Sequence, residues 1–151
     1  EDIDFSIRIY QNGYKCTYIP EAWVYHKRRT NFKRFFKQVH NSGIARINLY
    51  KRYPTSLKLV HTLPSLFTLG TTFLVVASLF YPLAILPLLI YALLVFIDST
   101  YKNHSLHIGF LSIGTAYIQL IGYGTGFLLA WWKRCICKDK EFAAFEDSFY
   151  K

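Results

Sequence analysis

Charge-free apolar stretches dominate the second half of the chain. Residues 59–97 contain no Asp, Glu, Lys or Arg. As one helix at about 1.5 Å per residue they would reach about 58 Å, roughly twice the hydrocarbon core of a bilayer. This length predicts a hairpin of two membrane helices near residues 63–79 and 83–97, with a turn near residues 80–82.

A third apolar stretch covers residues 106–132 and is rich in glycine, which favours close helix packing in lipid. It ends in Trp131 and Trp132, residues typical of a membrane interface. We expect a third span here. Tyr117, Gln119 and Tyr123 would hydrogen-bond between helices, or contact a lipid-linked acceptor, within it.

The first residues carry an ambiguous pattern. Residues 3, 5, 7 and 9 are apolar and alternate with polar residues, which is typical of a strand, whereas Ile3, Ile7 and Tyr10 would share one helical face. Acidic residues crowd the start of the segment, and Gly13 follows its end. These two features favour a helix.

Two segments after this helix have strand-like composition. Residues 14–19 and 22–26 are mostly β-branched or aromatic, and Pro20 separates them. They predict two short extended segments.

Between residues 22 and 58 every charged side chain is basic, and the net charge of the whole chain is +9. Such a block beside membrane helices predicts a cytoplasmic face and favours a lipid surface over nucleic acid.

Within this basic block Phe32, Phe35, Phe36 and Val39 share one helical face, with Thr30 or Asn31 available as N-cap. We expect an interfacial amphipathic helix in residues 31–58; its apolar face could instead cover a soluble domain.

The number of crossings stays open. Three spans in residues 59–132 would place the tail, residues 133–151, on the side opposite the N-terminal part. Lys133 and Arg134 nevertheless follow the last span, and the positive-inside rule prefers them in the cytoplasm. Either the third segment is re-entrant, or one of the first two only lies in the interface, or the N-terminal basic block overrides the tail.

Candidate chemistry begins at the first residue. Glu1, Asp2 and Asp4 place three carboxylates within four residues, and such crowding can raise one pKa enough to make a base. A helix N-terminus also attracts acidic residues for dipole reasons alone. The pattern by itself does not separate these two explanations.

The order of features resembles the end of a family 2 glycosyltransferase domain over about residues 1–58. The features that carry the resemblance are Glu1-Asp2 followed by Asp4 and Ser6, Gly13-Tyr14-Lys15, Ile19-Pro20-Glu21-Ala22, Val24-Tyr25-His26 with two arginines, and a helix with Gln38, Gly43 and Arg46. The resemblance implies the GT-A fold, with residues 1–30 as the C-terminal end of the catalytic domain. It also implies Asp2 as catalytic base, with Glu1 as second choice. The expected fold class is an α/β fragment with an interfacial helix, followed by an all-α transmembrane region of two to three helices.

The resemblance also implies the reaction. The expected enzyme is a membrane-bound inverting transferase that moves a sugar from a nucleotide sugar to a lipid-linked or cell-surface glycan acceptor, on the cytoplasmic side of an inner membrane. It would use Mg²⁺ or Mn²⁺, held mainly by a nucleotide-binding half that precedes Glu1, so the chain alone would be an inactive fragment without a metal site. The candidate substrate or diphosphate contacts are His26, Arg28, Arg29, Gln38 and Arg46.

Two alternatives remain beside this hypothesis. The arginines could face lipid instead of phosphate. Gln38 and Arg46 resemble a looser version of the Gln-x-x-Arg-Trp motif of processive family members, but the two residues lie farther apart than in that motif. This wider spacing argues against a polymer synthase. The competing function is a non-enzymatic, membrane-anchored binding module.

Overall fold

The structure is a computed structural model that describes residues 2–25, 31–138 and 140. Its long helices are α1 (Asp2–Gln11), α2 (Phe32–Arg52), α3 (Leu63–Ser78), α4 (Leu86–Asn103) and α5 (Leu106–Trp131). Short 3₁₀ turns occupy Pro54–Ser56, Leu59–His61 and Pro82–Ile85, and a π-helical turn covers Trp132–Ile136.

The predicted α/β class is wrong, since the described residues contain helices and no strand. The two segments expected to be extended, 14–19 and 22–26, form no ladder where they are described. Tyr18, Val24 and Tyr25 are more than 80% exposed. A strand needs a partner strand for its backbone hydrogen bonds, and β-rich composition alone does not provide one.

Helix α1 ends as its sequence predicts. Gly13 adopts a left-handed conformation with φ +78°, and the amide of Tyr14 donates to the carbonyl oxygen of Ile9 at 3.1 Å. This is the hydrogen bond of a Schellman cap, and glycine tolerates the required positive φ without steric cost. The chain therefore leaves the helix at a defined residue.

Helix α5 lies at the centre, in contact with α2, α3 and α4. Gly109 packs against Phe96 and Thr100 of α4, and Gly124 packs against Thr68 of α3. Gly109 and Gly124 are about 22 Å apart along the axis of α5, so α4 and α3 pack closely against it at different levels.

Helices α2 and α5 run parallel in close contact. Phe32 of α2 lies against Gly114, Val39 lies against Gly122, and Gly43 lies farther along against the backbone of Phe127. The contacts follow the same order along both helices. The apolar face of α2 thus covers α5, where Ile44, Ile47, Phe127 and Ala130 form the buried core.

Within the part of the chain that the structure describes, three helices are long and apolar enough to cross a membrane: Leu59–Ser78, Pro82–Asn103 and Leu106–Ile136. The second and third form an antiparallel hairpin, in which the hydroxyl groups of Ser99 and Ser112 share a hydrogen bond of 2.6 Å. His104 turns the chain in a left-handed conformation, and the Ser105 side chain accepts from the amide of Ile108 to begin α5.

Candidate functional site

One member of the predicted catalytic pair, Asp2, lies within the described residues. It is the first residue of α1, although its side chain is not described. Glu1 and three of the predicted substrate contacts, His26, Arg28 and Arg29, lie outside the described residues. The backbone therefore places a carboxylate at the N-terminus of α1, where the helix dipole favours negative charge.

Asp4 joins α1 to the end of α2. Its Oδ2 atom lies 3.3 Å from Nε of Arg8, one turn farther along α1. Its Oδ1 atom lies 3.6 Å from Nη1 of Arg52, the last residue of α2. The Asp4 side chain is only 20% exposed, so the two arginines hold a largely shielded carboxylate between two helices.

Arg52 also lies just before the apolar half of the chain. Helix α2 ends there, Tyr53 is its C-cap, and the first candidate span begins at Leu59. The proposed base at the start of α1 is thus linked to the point where the chain enters its apolar half. In the sequence Arg52 belongs to the basic block of residues 22–58, and nothing in its local spacing connects it to Asp4.

The two candidate contacts on α2 do not converge. Gln38 is exposed, whereas Arg46 is half-buried and lies about 12 Å farther along the helix axis. Arg46 lies within electrostatic range of the phenol of Tyr123 and of His61. The buried Tyr123 hydroxyl lacks a well-formed hydrogen bond among the described residues, so its main polar neighbour is this guanidinium group.

His61 adds a further basic group beside Arg46. Its Nδ1 atom accepts a hydrogen bond of 3.0 Å from the backbone amide of Lys58. Lys58 and Arg46 both act on it electrostatically. Because residues 22–97 contain no Asp or Glu, no carboxylate from that part of the sequence offsets these charges.

The described part of the chain contains no cluster of potential metal ligands. Within residues 2–25, 31–138 and 140, no group of three or more His, Cys, Asp or Glu side chains is placed to hold a metal ion. The resemblance places most ligands of the expected Mg²⁺ or Mn²⁺ before Glu1, so the steps proposed below use only side chains of this chain.

Comparison with known proteins gives one match. Residues 1–97 match the family described as glycosyl transferase family group 2. The match covers α1, α2, the Asp4–Arg52 contact and most of the first two candidate spans. No curated protein and no solved structure matches the chain.

Proposed function

This chain belongs to glycosyl transferase family group 2, and from that membership we propose that it works in an inverting transfer of sugar at a membrane. The donor is a nucleotide sugar, and the acceptor is a lipid-linked or cell-surface glycan. The catalytic part lies on the cytoplasmic face of the inner membrane. One observation supports this proposal most: the Asp4–Arg52 contact links the acidic helix α1 to the chain segment that enters the apolar region.

In the proposed step Asp2 acts as the general base. Its carboxylate takes the proton of the acceptor hydroxyl while that oxygen attacks the anomeric carbon. The bond from this carbon to the donor phosphate breaks on the opposite face, and the nucleoside diphosphate leaves with the bonding electron pair. A single displacement of this kind inverts the anomeric configuration. Glu1 is the second candidate for the base.

In this proposal the basic side chains bind the diphosphate leaving group. Arginine binds phosphate through a planar fork of donors, which suits a diphosphate. Arg46 is the best supported of the candidates, because it is half-buried and lies about 9 Å along α2 from Arg52, which meets Asp4. His26, Arg28, Arg29 and Gln38 are further proposed contacts, and Mg²⁺ or Mn²⁺ is the proposed cofactor.

The test is the Asp2→Asn variant of the protein expressed from its complete native gene. Release of UDP or GDP from a panel of UDP- and GDP-linked sugars is measured in native membranes. We expect the turnover rate to fall by about 10²- to 10⁴-fold, since a general base is lost. Donor affinity should change little, because the base contacts the acceptor.

Glu21→Gln provides the matched control, since Glu21 is an exposed carboxylate outside α1. It should retain wild-type turnover. Full activity of Asp2→Asn would refute the assignment of the base. Absence of nucleotide release from every donor, in the wild type as well, would favour the non-enzymatic membrane module.

A further inference from the structure

We propose that Arg52 is a positioning residue for the transfer: through Asp4 it holds α1, and with it the base Asp2, against the end of α2. This inference rests on the proposed function. It adds to that function a residue whose side chain need not touch either substrate.

The contact is specific in its geometry. Each oxygen of the Asp4 carboxylate faces a different arginine, Oδ2 facing Arg8 of its own helix and Oδ1 facing Arg52. Oδ1 is fully buried and has no hydrogen bond in the described structure, which leaves the Arg52 guanidinium group at 3.6 Å as the charge that compensates it. Asp4 lies two residues after Asp2 in the first turn of α1. A shift of Asp4 therefore moves the proposed base.

Helix α1 buries none of its described apolar side chains completely. Ile3, Phe5 and Tyr10 are 48%, 59% and 59% exposed, and Ile7 and Ile9 are half-buried, so apolar burial contributes only modestly to docking. Helix α2, in contrast, is in backbone contact with α5 at Gly43. Arg52 thus projects from a closely packed helix towards a helix that buries little apolar surface.

Loss of the Asp4–Arg52 ion pair should affect the rate of transfer more than the free energy of unfolding. A partly exposed ion pair contributes little to the free energy of unfolding. Misplacing a catalytic group by about 1 Å, however, can cost as much as about 10²-fold in rate. Loss of the pair should therefore lower kcat while leaving the overall fold in place.

The experiment compares Arg52→Gln with Lys51→Gln in the full protein. Lys51 is the adjacent basic residue of α2 and is exposed, so its variant loses the same charge without losing the pair. We expect kcat for nucleotide release to fall about tenfold in Arg52→Gln, with the donor KM within about twofold of wild type. Arg52→Lys, which keeps the charge, should recover part of the rate, and Lys51→Gln should behave as wild type.

A double-mutant cycle tests whether Arg52 acts through Asp4. If it does, the Asp4→Asn/Arg52→Gln double variant is no slower than the slower single variant. Multiplied losses would mean that the two residues act independently and would overturn the proposal.

Hydrogen exchange of the α1 amides gives a readout that does not need activity. Exchange should be faster in Arg52→Gln and unchanged in Lys51→Gln, because only the first loosens the helix. Unchanged exchange in Arg52→Gln would overturn the docking role, and faster exchange with normal kcat would overturn the positioning role. If the wild type turns over no donor, the proposed function fails, and the exchange comparison still decides whether the pair docks α1.

Discussion

The backbone carbonyl group of His40 on α2 lies against Gly126 of α5, in the space that a Cβ atom would fill. One turn farther along α2, a Cβ on Gly43 would meet the carbonyl oxygen of Tyr123 and lie 2.7 Å from the amide nitrogen of Phe127. The His40 ring also shares a hydrogen bond of 3.1 Å with the Thr125 hydroxyl group. The two helices therefore meet backbone to backbone, as small residues allow in membrane helices.

Gly126→Ala should destabilise the protein because the added methyl group meets the His40 backbone, which cannot rotate away. Alanine favours a helix over glycine by about 1 kcal/mol, so helix propensity alone would predict stabilisation. Overpacking costs about 1–3 kcal/mol and should decide the sign. Thermal unfolding of the purified protein in detergent measures the change.

Gly70→Ala is the control for this prediction. Gly70 lies within α3, and nothing lies within 4 Å of the position of its Cβ. The same substitution should there be neutral or slightly stabilising, because helix propensity acts without a clash. Equal effects at the two positions would contradict the close approach of α2 and α5.

Much of the helical organisation follows from local signals. The charge-free stretch of residues 59–97 is too long for one span and too apolar for an exposed segment, and the structure places α3 and most of α4 there. The interpretation of residues 3–10 as helical is confirmed by α1, and Asn31 is the N-cap of α2. These features depend on residues that are neighbours in the chain, so the sequence alone suffices to predict them.

The extended segments mark the limit of that reasoning. Residues 14–19 have strand-like composition, but side-chain preference specifies only an extended backbone. A sheet also requires a second strand, and local sequence says nothing about where a partner lies. The α/β prediction failed for this reason.

The candidate site was predicted only in part. Resemblance identified the acidic start of α1, and the family match confirms the glycosyltransferase assignment. The Asp4–Arg52 contact joins residues from two helices far apart in the chain. No periodicity or spacing encodes it, because it depends on how α1 and α2 meet in three dimensions.

Tyr117→Phe should destabilise the protein slightly. The Tyr117 hydroxyl group donates to the carbonyl oxygen of Leu88 at 2.7 Å and so links α5 to α4. Phenylalanine keeps the ring contacts with Phe67 and Tyr91 and loses only this bond. We expect a loss of about 0.6 kcal/mol, the average for hydrogen bonds between membrane helices. Thermal unfolding should show a small decrease, whereas Tyr101→Phe, at an 80% exposed position on α4, should show none.

Arg46→Gln should weaken donor binding more than Gln38→Ala does. The proposal assigns Arg46 a charge-assisted contact to diphosphate, and loss of such a contact costs about 1.5–3 kcal/mol. The donor KM should therefore rise at least about tenfold, while Gln38→Ala should change it less than about twofold because Gln38 is exposed.

The Tyr123→Phe variant distinguishes a donor-binding role of Arg46 from a packing role. Arg46 lies near the Tyr123 hydroxyl group, so a purely structural role of Arg46 would act through this neighbour. In that case Tyr123→Phe would reproduce the rise in donor KM. We expect it to leave the donor KM unchanged, which would attribute the effect to the guanidinium group itself.

The native cysteines can report how often the chain crosses the membrane. Cys16 and Cys137 are both exposed and lie on either side of the three candidate spans. If each of the three helices crosses once, these two thiols lie on opposite sides. In the structure, however, Leu57, just before the first span, packs against the cluster that contains Phe127 and Ala130 near the end of α5, and Pro64 lies against Gly124. Both ends of the apolar region therefore lie on one side, and we expect a membrane-impermeant maleimide added to intact cells to spare both thiols, since the basic block keeps that side in the cytoplasm.

Single-cysteine variants allow the labelling of each thiol to be measured separately. One retains Cys16 and the other retains Cys137, with the remaining cysteines, including the half-buried Cys135, changed to serine. Permeabilised cells serve as the control, because both thiols should then react. Protection of both thiols in intact cells would mean an even number of crossings. One of the three apolar helices would then fail to span, and the basic residues Lys133 and Arg134 would lie in the cytoplasm with the rest of the positive charge.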